Sequence, residues 1–296
     1  RSPSRGLGDV YKRQMNISIY TLSQYASGEL KDTYEPEEIR SICRLIFMDV
    51  FHYTNIDIHI QKHENLPESF LGKFQEIIAR LKQGEPIQYI IGTTEFAGLT
   101  FTVNPSTLIP RPETEELVLW IKSLAAPSSH ILDIGTGSGC IAITLAHLLP
   151  DSRVTGIDIS ADALATASHN AMINLTKVQF RQADIFDYRP ESGSRFDIIV
   201  SNPPYVRMSE KQYMQRQVVD FEPPTALFVP DKDPLLFYRQ IAKFGQTHLR
   251  KNGLLFFEIN EALGQDTVDL LARYPYSGIE IKKDFLGKDR FIKCTY

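Results

Sequence analysis

A strand, a glycine-rich turn and a helix follow one another over residues 131–142, which read Ile-Leu-Asp-Ile-Gly-Thr-Gly-Ser-Gly-Cys-Ile-Ala. The first four residues are mostly apolar and predict a buried strand, and Cys-Ile-Ala opens a predicted helix. Glycines in such a turn let backbone N–H groups approach a ligand closely, beside the positive end of the following helix. The stretch therefore predicts an α/β fold with a parallel sheet and a ligand site at the turn.

A second predicted strand, residues 154–158, ends in an acid. A carboxylate at Asp158 can hold the two hydroxyls of a ribose. The glycine spacing of the preceding turn also satisfies the loose pattern of dinucleotide-binding proteins. Asp133 distinguishes the two ligands, because an acid that points into the turn would repel a pyrophosphate and attract an ammonium and a sulfonium. The pattern favours S-adenosylmethionine over NAD.

A stiff loop that offers hydrogen-bond acceptors follows a later strand. The predicted strand 196–200 is mostly apolar and β-branched, and positions 201–205 read Ser-Asn-Pro-Pro-Tyr. Asn202 is pushed towards an extended conformation by the next proline, and prolines have a fixed φ and no N–H. The Asn202 side-chain oxygen and the Pro203 carbonyl remain as acceptors, with the flat ring of Tyr205 nearby. This loop suits a planar group that carries an –NH2.

Two more stretches predict ligand contacts. Asp184, after a predicted strand, can accept a hydrogen bond from an adenine amino group, with Ile185 or Phe186 against the ring. Arg111 lies between two prolines and is available to pair with an acidic group. A long loop follows Tyr205, and a loop of this length more often binds a substrate than serves as a mere connection.

Composition limits the partners. The 296 residues include 32 Lys and Arg against 36 Asp and Glu, a net charge of −4, which disfavours a main role on nucleic acid. Three widely spaced cysteines predict neither a disulfide framework nor a zinc site and fit a reducing compartment. No apolar run approaches the roughly 20 residues that span a bilayer. We expect a cytoplasmic monomer with no metal ion, no membrane association and no stable binding to nucleic acid.

The order of predicted elements divides the chain into four segments. Residues 1–14 lack the apolar stretch of a secretory signal, and we expect a non-native leader or a disordered tail there. Residues 15–88 carry apolar side chains at helical spacing and predict a small helical domain. Two β-like runs predict a hairpin linker over 89–106. Strands and helices alternate over 107–296, and a short link between the last two β runs predicts a doubly wound sheet whose last strand is antiparallel.

These motifs together resemble those of class I S-adenosylmethionine methyltransferases that act on planar amino groups. Leu-Ile-Pro-Arg-Pro-Glu-Thr-Glu at 108–115 and Phe-Glu-Pro-Pro-Thr-Ala-Leu-Phe at 221–228, with the helical front segment, make the chain similar to the HemK/PrmC family. That family methylates N5 of the glutamine in the Gly-Gly-Gln motif of bacterial peptide chain release factors. The resemblance implies a Rossmann-like fold, S-adenosyl-L-methionine as cofactor, S-adenosyl-L-homocysteine as product, and release factors 1 and 2 as partners.

The resemblance also implies roles for individual residues. The helical domain would recognise the substrate. Asn202 and Pro203 would be the catalytic residues. The residues implied to hold the glutamine are Asn202, Pro203, Pro204 and Tyr205. The residues implied to contact the cofactor are Gly135, Thr136, Gly137, Ser138, Gly139, Asp158, Asp184, Ile185 and Asn202.

Two positions depart from the family pattern. The family often has an aromatic residue where Ile185 stands, so adenine packing shifts to Phe186 or elsewhere. Glu258-Ile259-Asn260 replaces the usual Glu-x-Gly. Asn tolerates φ > 0 as Gly does, so we expect little effect from this change.

Three alternative functions stay open. One is a glutamine methyltransferase that acts on a ribosomal protein, for which the pocket chemistry would be identical. Another is an N6-adenine or N2-guanine nucleic-acid methyltransferase, which the net acidity disfavours. The last is a nucleotide- or NAD-binding module without methyl transfer, which Asp133 and the loop at 201–205 disfavour.

Overall fold

The structure is a computed structural model that describes residues 17–191 and 193–296. The leader or tail predicted for residues 1–14 lies outside the described residues. The chain divides into two compact units, one ending at Ile91 and the other beginning at Gly92. The domain bounds proposed from the sequence remain a prediction. Within the described residues, no helix combines the length and the apolar character that crossing a membrane requires.

The amino-terminal unit is built from helices over its described residues. Its helices are α1 (Ile19–Leu30), α2 (Pro36–Leu45) with a π turn after it (Ile46–Val50), α3 (Asn55–Ile60), α4 (Glu68–Lys82) and α5 (Ile87–Ile91). The Ser18 hydroxyl begins α1 by accepting a hydrogen bond from the Thr21 backbone N–H at 3.2 Å. Phe47 and Phe74 stack at 5.6 Å in the core, where both are fully buried. The apolar spacing of the sequence therefore marks the faces that pack together.

A β-hairpin opens the second unit. β1 (Thr93–Phe96) pairs antiparallel with β2 (Leu99–Thr102). Ala97 and Gly98 both have positive φ, 50° and 77°, as a two-residue hairpin turn requires. Phe96 and Phe101 lie in the same hydrophobic core as strands of the large sheet. The predicted hairpin is present, and its side chains pack with the sheet.

The second unit is built on a seven-stranded sheet. The strands are β3 (His130–Ile134), β4 (Arg153–Asp158), β5 (Val178–Gln182), β6 (Phe196–Ser201), β9 (Leu249–Glu258), β10 (Ser277–Lys283) and β11 (Asp289–Thr295). Their order across the sheet is β10-β11-β9-β6-β3-β4-β5. β3, β4, β5, β6 and β9 are parallel, and β11 runs antiparallel to both β9 and β10. The doubly wound sheet with an antiparallel last strand is therefore confirmed.

Helices cover both faces of this sheet. Successive strand residues point to opposite faces, so Ile131 and Ile198 lie in one core and Leu132 and Ile199 in the other. The first core also contains residues of α6 and α7, and the second contains residues of α11 and α12. The helices are α6 (Pro112–Leu124), α7 (Cys140–Leu148), α8 (Ala161–Ile173), α11 (Leu236–His248) and α12 (Gly264–Leu271), which follows a short 3-10 helix (Glu261–Leu263).

The long segment after β6 carries its own short elements. β7 (Val206–Arg207) pairs parallel with β8 (Phe228–Val229), so the segment between them closes on itself. That segment contains a 3-10 helix (Met208–Tyr213), α9 (Arg216–Phe221) and α10 (Pro224–Leu227). The sequence predicted an irregular loop here. The elements are too short for hydrophobic periodicity to mark them.

Phe256 tests the packing of the sheet. Its ring is fully buried and meets Trp120 edge to face at 5.4 Å. We expect Phe256→Ala to lower the free energy of unfolding by about 3–5 kcal/mol, because the truncation leaves a cavity. Urea unfolding followed by the fluorescence of Trp120, the chain's one tryptophan, measures it. Leu119→Ala is the control, because Leu119 is 53% exposed, and an equal loss there would contradict the prediction.

Candidate functional site

A cavity of about 390 Å³ lies at the carboxyl ends of the central strands. That volume is within the range of small-molecule sites. β3 has β4 on one side and β6 on the other, so the order of strands reverses here, where ligands bind in open α/β sheets. The predicted site residues that line the cavity are Gly135, Thr136, Gly137, Ser138, Asp158, Asp184, Ile185, Asn202, Pro203 and Pro204.

The turn between β3 and α7 shows its backbone to the cavity. Gly135 and Gly137 have φ of 73° and 54°, and a Cβ added to either would enter open space. Gly139 differs, because a Cβ there would lie 2.8 Å from Ile143 Cδ1 and 3.1 Å from Ala167 Cβ. Gly139 is also not among the residues that line the cavity. The missing side chain allows the close packing of α7 on α8, and the cofactor contact that the resemblance implies for Gly139 remains a prediction.

Asp158 ends β4 and holds the turn. Its Oδ2 accepts a hydrogen bond from the Gly137 backbone N–H at 2.9 Å, and its Oδ1 accepts one from the Ser160 N–H at 2.9 Å. A carboxylate has about four acceptor positions, so each oxygen can accept a further hydrogen bond. The ribose contact predicted for Asp158 remains a prediction, and both carboxylate oxygens keep acceptor positions for it.

Asp133 is fully buried beneath the turn that it precedes. Its Oδ2 accepts a hydrogen bond from the Thr136 hydroxyl at 2.6 Å. Its Oδ1 is one of two buried side-chain polar atoms that lack a hydrogen-bond partner among the described residues. Burial raises the pKa of Asp133 to about 7, and the nearby Asp158 carboxylate acts in the same direction. Asp133 does not line the cavity, so the structure places the acid that was expected to point into the turn behind it.

Residues 201–205, which we call the acceptor loop, come at the end of β6, the strand that pairs with β3. The Ser201 hydroxyl donates to the Ile134 carbonyl at 2.7 Å, which ties the end of β6 to the end of β3. Asn202, Pro203 and Pro204 then line the cavity. Tyr205 does not line it, and its hydroxyl donates to Glu258 Oε1 at 3.3 Å instead. The structure thus places the two predicted acceptors at the cavity and places the predicted aromatic face elsewhere.

Aromatic side chains near the end of β5 also line the cavity. Asp184 Oδ1 accepts from the Phe186 N–H at 3.0 Å, and the Ile185 carbonyl accepts from the Gln240 side chain at 2.9 Å. Ile185 is buried, whereas Phe186 is 42% exposed and packs against Phe237 at 5.6 Å. Both phenylalanines line the cavity. They supply the aromatic surface that Ile185 lacks.

The two proline-containing motifs meet beside the cavity. Arg111 has the acidic partner that the sequence suggested, since its Nη2 lies 2.5 Å from Glu222 Oε1. The other oxygen of Glu222 accepts from the Ile109 N–H at 3.2 Å. The glutamate side chain is 1% exposed, so a buried carboxylate joins the segment before α6 to the segment before α10.

Sequence reasoning missed two features of the site. Phe237 and Ile241 reach the cavity from one face of α11, and helical spacing alone does not separate a cavity wall from a core. Glu258, also buried, accepts from the Thr114 hydroxyl at 2.7 Å. An acid that ends an apolar strand was the available signal for it. Among the described residues, no three His, Cys, Asp or Glu side chains are grouped to hold a metal ion.

Asp133 gives the stability a measurable pH dependence. Burial disfavours its ionised form, so between about pH 4 and pH 7 the folded protein binds a proton that the unfolded chain has released. Its ionisation therefore lowers the free energy of unfolding as the pH rises through this window, by at most about 1.4 kcal/mol per pH unit. We expect the stability of the wild type relative to Asp133→Asn to fall from pH 5 to pH 8 in urea unfolding of the ligand-free protein. Parallel pH curves for the two proteins would contradict this assignment.

Comparisons with known proteins agree with this geometry. Residues 21–92 match the model of the PrmC N-terminal domain, and residues 116–220 match the methyltransferase small domain. A solved methyltransferase from Pyrococcus furiosus, 17% identical, superposes with a TM-score of 0.51 over 77% of this chain and 98% of that one. A Thermus thermophilus 16S rRNA methyltransferase solved with AdoMet and guanosine, 18% identical, gives 0.50 over 69% and 49%. These solved structures support the class I methyltransferase fold.

Curated relatives are much more similar. The release factor glutamine methyltransferase of Bacteroides thetaiotaomicron is 46% identical over 274 residues, which cover 93% of this chain and 99% of the relative. The enzyme of the same name from Flavobacterium psychrophilum is 45% identical over 273 residues, 90% of this chain and 95% of the relative. With nearly the full length matched at this identity, the chain is a methyltransferase and belongs to the release factor glutamine methyltransferase family.

Proposed function

We propose that this protein transfers a methyl group from S-adenosyl-L-methionine to N5 of the glutamine in the Gly-Gly-Gln motif of peptide chain release factors 1 and 2. One observation carries the proposal. A single cavity joins the glycine turn and Asp158 to the neutral acceptors of Asn202 and Pro203. The names of the curated relatives described above support release factors as the substrate that receives the methyl group. We further propose that the protein acts in the cytoplasm as a monomer.

The residues of the cavity fit this cofactor. Its bound form supplies an electrophilic methyl group on a positively charged sulfur. Asp158 lines the cavity and has acceptor positions free for ribose hydroxyls. Phe186 and Phe237 offer an apolar surface for adenine. Asp133 lies buried behind the glycine turn and does not line the cavity, so its ionised form would favour a cationic ligand over a pyrophosphate through charge alone and not by direct contact.

The acceptor loop can compensate for the weak nucleophilicity of an amide nitrogen. An amide nitrogen is a poor nucleophile, because its lone pair is delocalised into the carbonyl, as the barrier of about 18–20 kcal/mol to peptide C–N rotation shows. The Asn202 side-chain oxygen and the Pro203 carbonyl can accept the two amide N–H bonds and orient the nitrogen for in-line attack. Holding two reactants in this way can supply about 7–11 kcal/mol.

The same two acceptor oxygens also stabilise the transition state electrostatically. Positive charge develops on the amide nitrogen as the new N–C bond forms, so both N–H groups become stronger donors. Asn202 and Pro203 then bind the transition state more tightly than the ground state, which is the condition for catalysis. The proton leaves afterwards to solvent. No side chain has to remove a proton from the neutral amide first.

Methyl transfer to purified release factors tests the function. We expect a mass increase of one methyl group on the peptide that contains Gly-Gly-Gln, located by peptide mass mapping. Ribosomal proteins and adenine- or guanine-containing oligonucleotides are assayed in parallel as alternative substrates for methylation. Methylation of those acceptors with none on release factors would overturn the proposal. Thermal shifts by S-adenosylmethionine and NAD, compared in parallel, test the cofactor.

Asn202→Ala tests the acceptor role. The variant removes one of the two oxygens that we assign to the amide, and we expect turnover to fall by at least about 100-fold, because losing a comparable transition-state hydrogen bond costs that much. Cofactor affinity, measured by calorimetry, should fall much less. Gln179→Ala is the control, since it removes an exposed amide on β5. A near-normal methylation rate in Asn202→Ala would be incompatible with the mechanism.

A further inference from the structure

Tyr205, directly after the acceptor loop, is held at two points. Its hydroxyl donates to Glu258 Oε1 at 3.3 Å. Its backbone carbonyl accepts from Asn260 Nδ2 at 3.4 Å. Both partners come from the end of β9 and are two residues apart. Each hydrogen bond is long and individually weak, and the two act together with the packing of the Tyr205 side chain against the neighbouring hydrophobic core.

Glu258 is itself a fixed anchor. It is 2% exposed, its other carboxylate oxygen accepts from the Thr114 hydroxyl at 2.7 Å, and its backbone carbonyl accepts from the Tyr238 hydroxyl at 3.2 Å. β9 pairs parallel with β6, and Phe257 lies opposite Ser201. The anchor therefore lies beside the strand that leads into the acceptor loop.

The Asn260 side chain contacts three groups. Its oxygen accepts from the Ala262 N–H at 3.0 Å and caps the 3-10 helix that follows. Its amide nitrogen donates to the Tyr205 carbonyl at 3.4 Å and lies 3.5 Å from Glu210 Oε2. The φ of Asn260 is −66°, so the tolerance of positive φ, from which we expected this residue to have little effect, is not used here. The side chain of Asn260, and not its backbone freedom, is what this position contributes.

The acceptor loop has little freedom between its ends. Ser201 is fixed at one end by β6 and by its hydrogen bond to the Ile134 carbonyl. Pro203 and Pro204 have fixed φ, so they transmit the position of Tyr205 back towards the acceptors. A displacement of about 1 Å at a reacting group can lower a rate by roughly 100-fold. Fixing Tyr205 is therefore a means of fixing the two acceptor oxygens.

We propose that Glu258 and Asn260 are positioning residues for methyl transfer, which act through Tyr205 to hold the Asn202 and Pro203 acceptors in place. The inference rests on the proposed function, because it assigns those oxygens to the glutamine amide. Neither residue lines the cavity. Their removal should therefore lower kcat and leave the binding of both substrates nearly unchanged.

The first test uses two conservative variants. Y205F removes the hydroxyl that reaches Glu258, and N260S keeps a neutral helix cap while removing the donor to Tyr205. We expect each to lower kcat several-fold and the double variant to lower it by about 100-fold, with KM for the release factor and Kd for S-adenosylmethionine within about threefold of wild type. Tyr274→Phe, which lies outside the site, is the control. Wild-type kcat in the double variant would overturn the proposal.

The second test asks whether Glu258 acts through Tyr205. We expect E258Q to lower kcat, and the combination of E258Q with Y205F to lower it no further than the more impaired single variant. Multiplied effects on kcat would mean that Glu258 acts independently of Tyr205, and the proposal would then be wrong. The melting temperature of each variant separates these outcomes from a general loss of stability.

Hydrogen exchange of the backbone tests the positioning role without an activity measurement. Val206 follows Tyr205 and begins β7, and we expect its backbone amide to exchange hydrogen faster in Y205F and N260S than in wild type. Unchanged exchange would overturn the positioning role. If the wild type methylates no glutamine in release factors, the proposed function fails, and the exchange data still decide whether Glu258 and Asn260 hold the loop.

Discussion

The parallel pairing of β3 with β6 is the constraint on which the site depends. Ile134 lies opposite Ser201 in this pairing, and the Ser201 hydroxyl donates to the Ile134 carbonyl at 2.7 Å. Because parallel strands end at one edge, the glycine turn after β3 and the acceptor loop after β6 open into one cavity. A register shift of one residue would turn the side chains of one strand to the other face and separate the two halves of the site.

Three buried carboxylates surround this edge, and each has a different environment. Glu222 has a charged partner in Arg111, whereas Glu258 has the hydroxyls of Thr114 and Tyr205. Asp133 has one hydroxyl partner and one unpartnered oxygen. Burial of an incompletely compensated charge costs folding free energy, so such groups are kept where they serve binding or position. The least compensated of the three lies next to the turn that we assign to the cofactor.

The sequence predicted those parts of the site that depend on neighbouring residues. Asp158, Asn202 and the glycine turn combine a strand end with local backbone rules, and the structure brings them to one cavity. The antiparallel last strand followed from the short link before β11. Partners that are distant in the sequence could not be predicted in the same way. Arg111 predicted an acidic partner, but only the fold identifies Glu222, which is 111 residues away.

The aromatic residue and one glycine show why the remaining contacts could not be predicted. A tyrosine beside two prolines can face a ligand or the core, and the Tyr205 hydroxyl is instead engaged by Glu258, which belongs to another strand. Gly139 matches a ligand-binding pattern, yet the space around it is filled by Ile143 and Ala167. In both cases the deciding atoms come from an element that packs against the motif, and a single sequence does not show which element that is.

The chemistry of the two halves of the cavity explains why one side is anionic and the other neutral. Asp133 and Asp158 lie on the strands that we assign to a cationic cofactor, where a carboxylate lowers the energy of the bound ligand. A carboxylate in place of Asn202 would attract the same sulfonium already in the ground state. Neutral oxygens do so less, and their hydrogen bonds gain strength as charge appears on the amide nitrogen. With neutral acceptors, the rate of methyl transfer depends on how accurately the amide nitrogen is oriented. The stiffness of the two prolines and the fixed position of Tyr205 therefore both contribute to that rate.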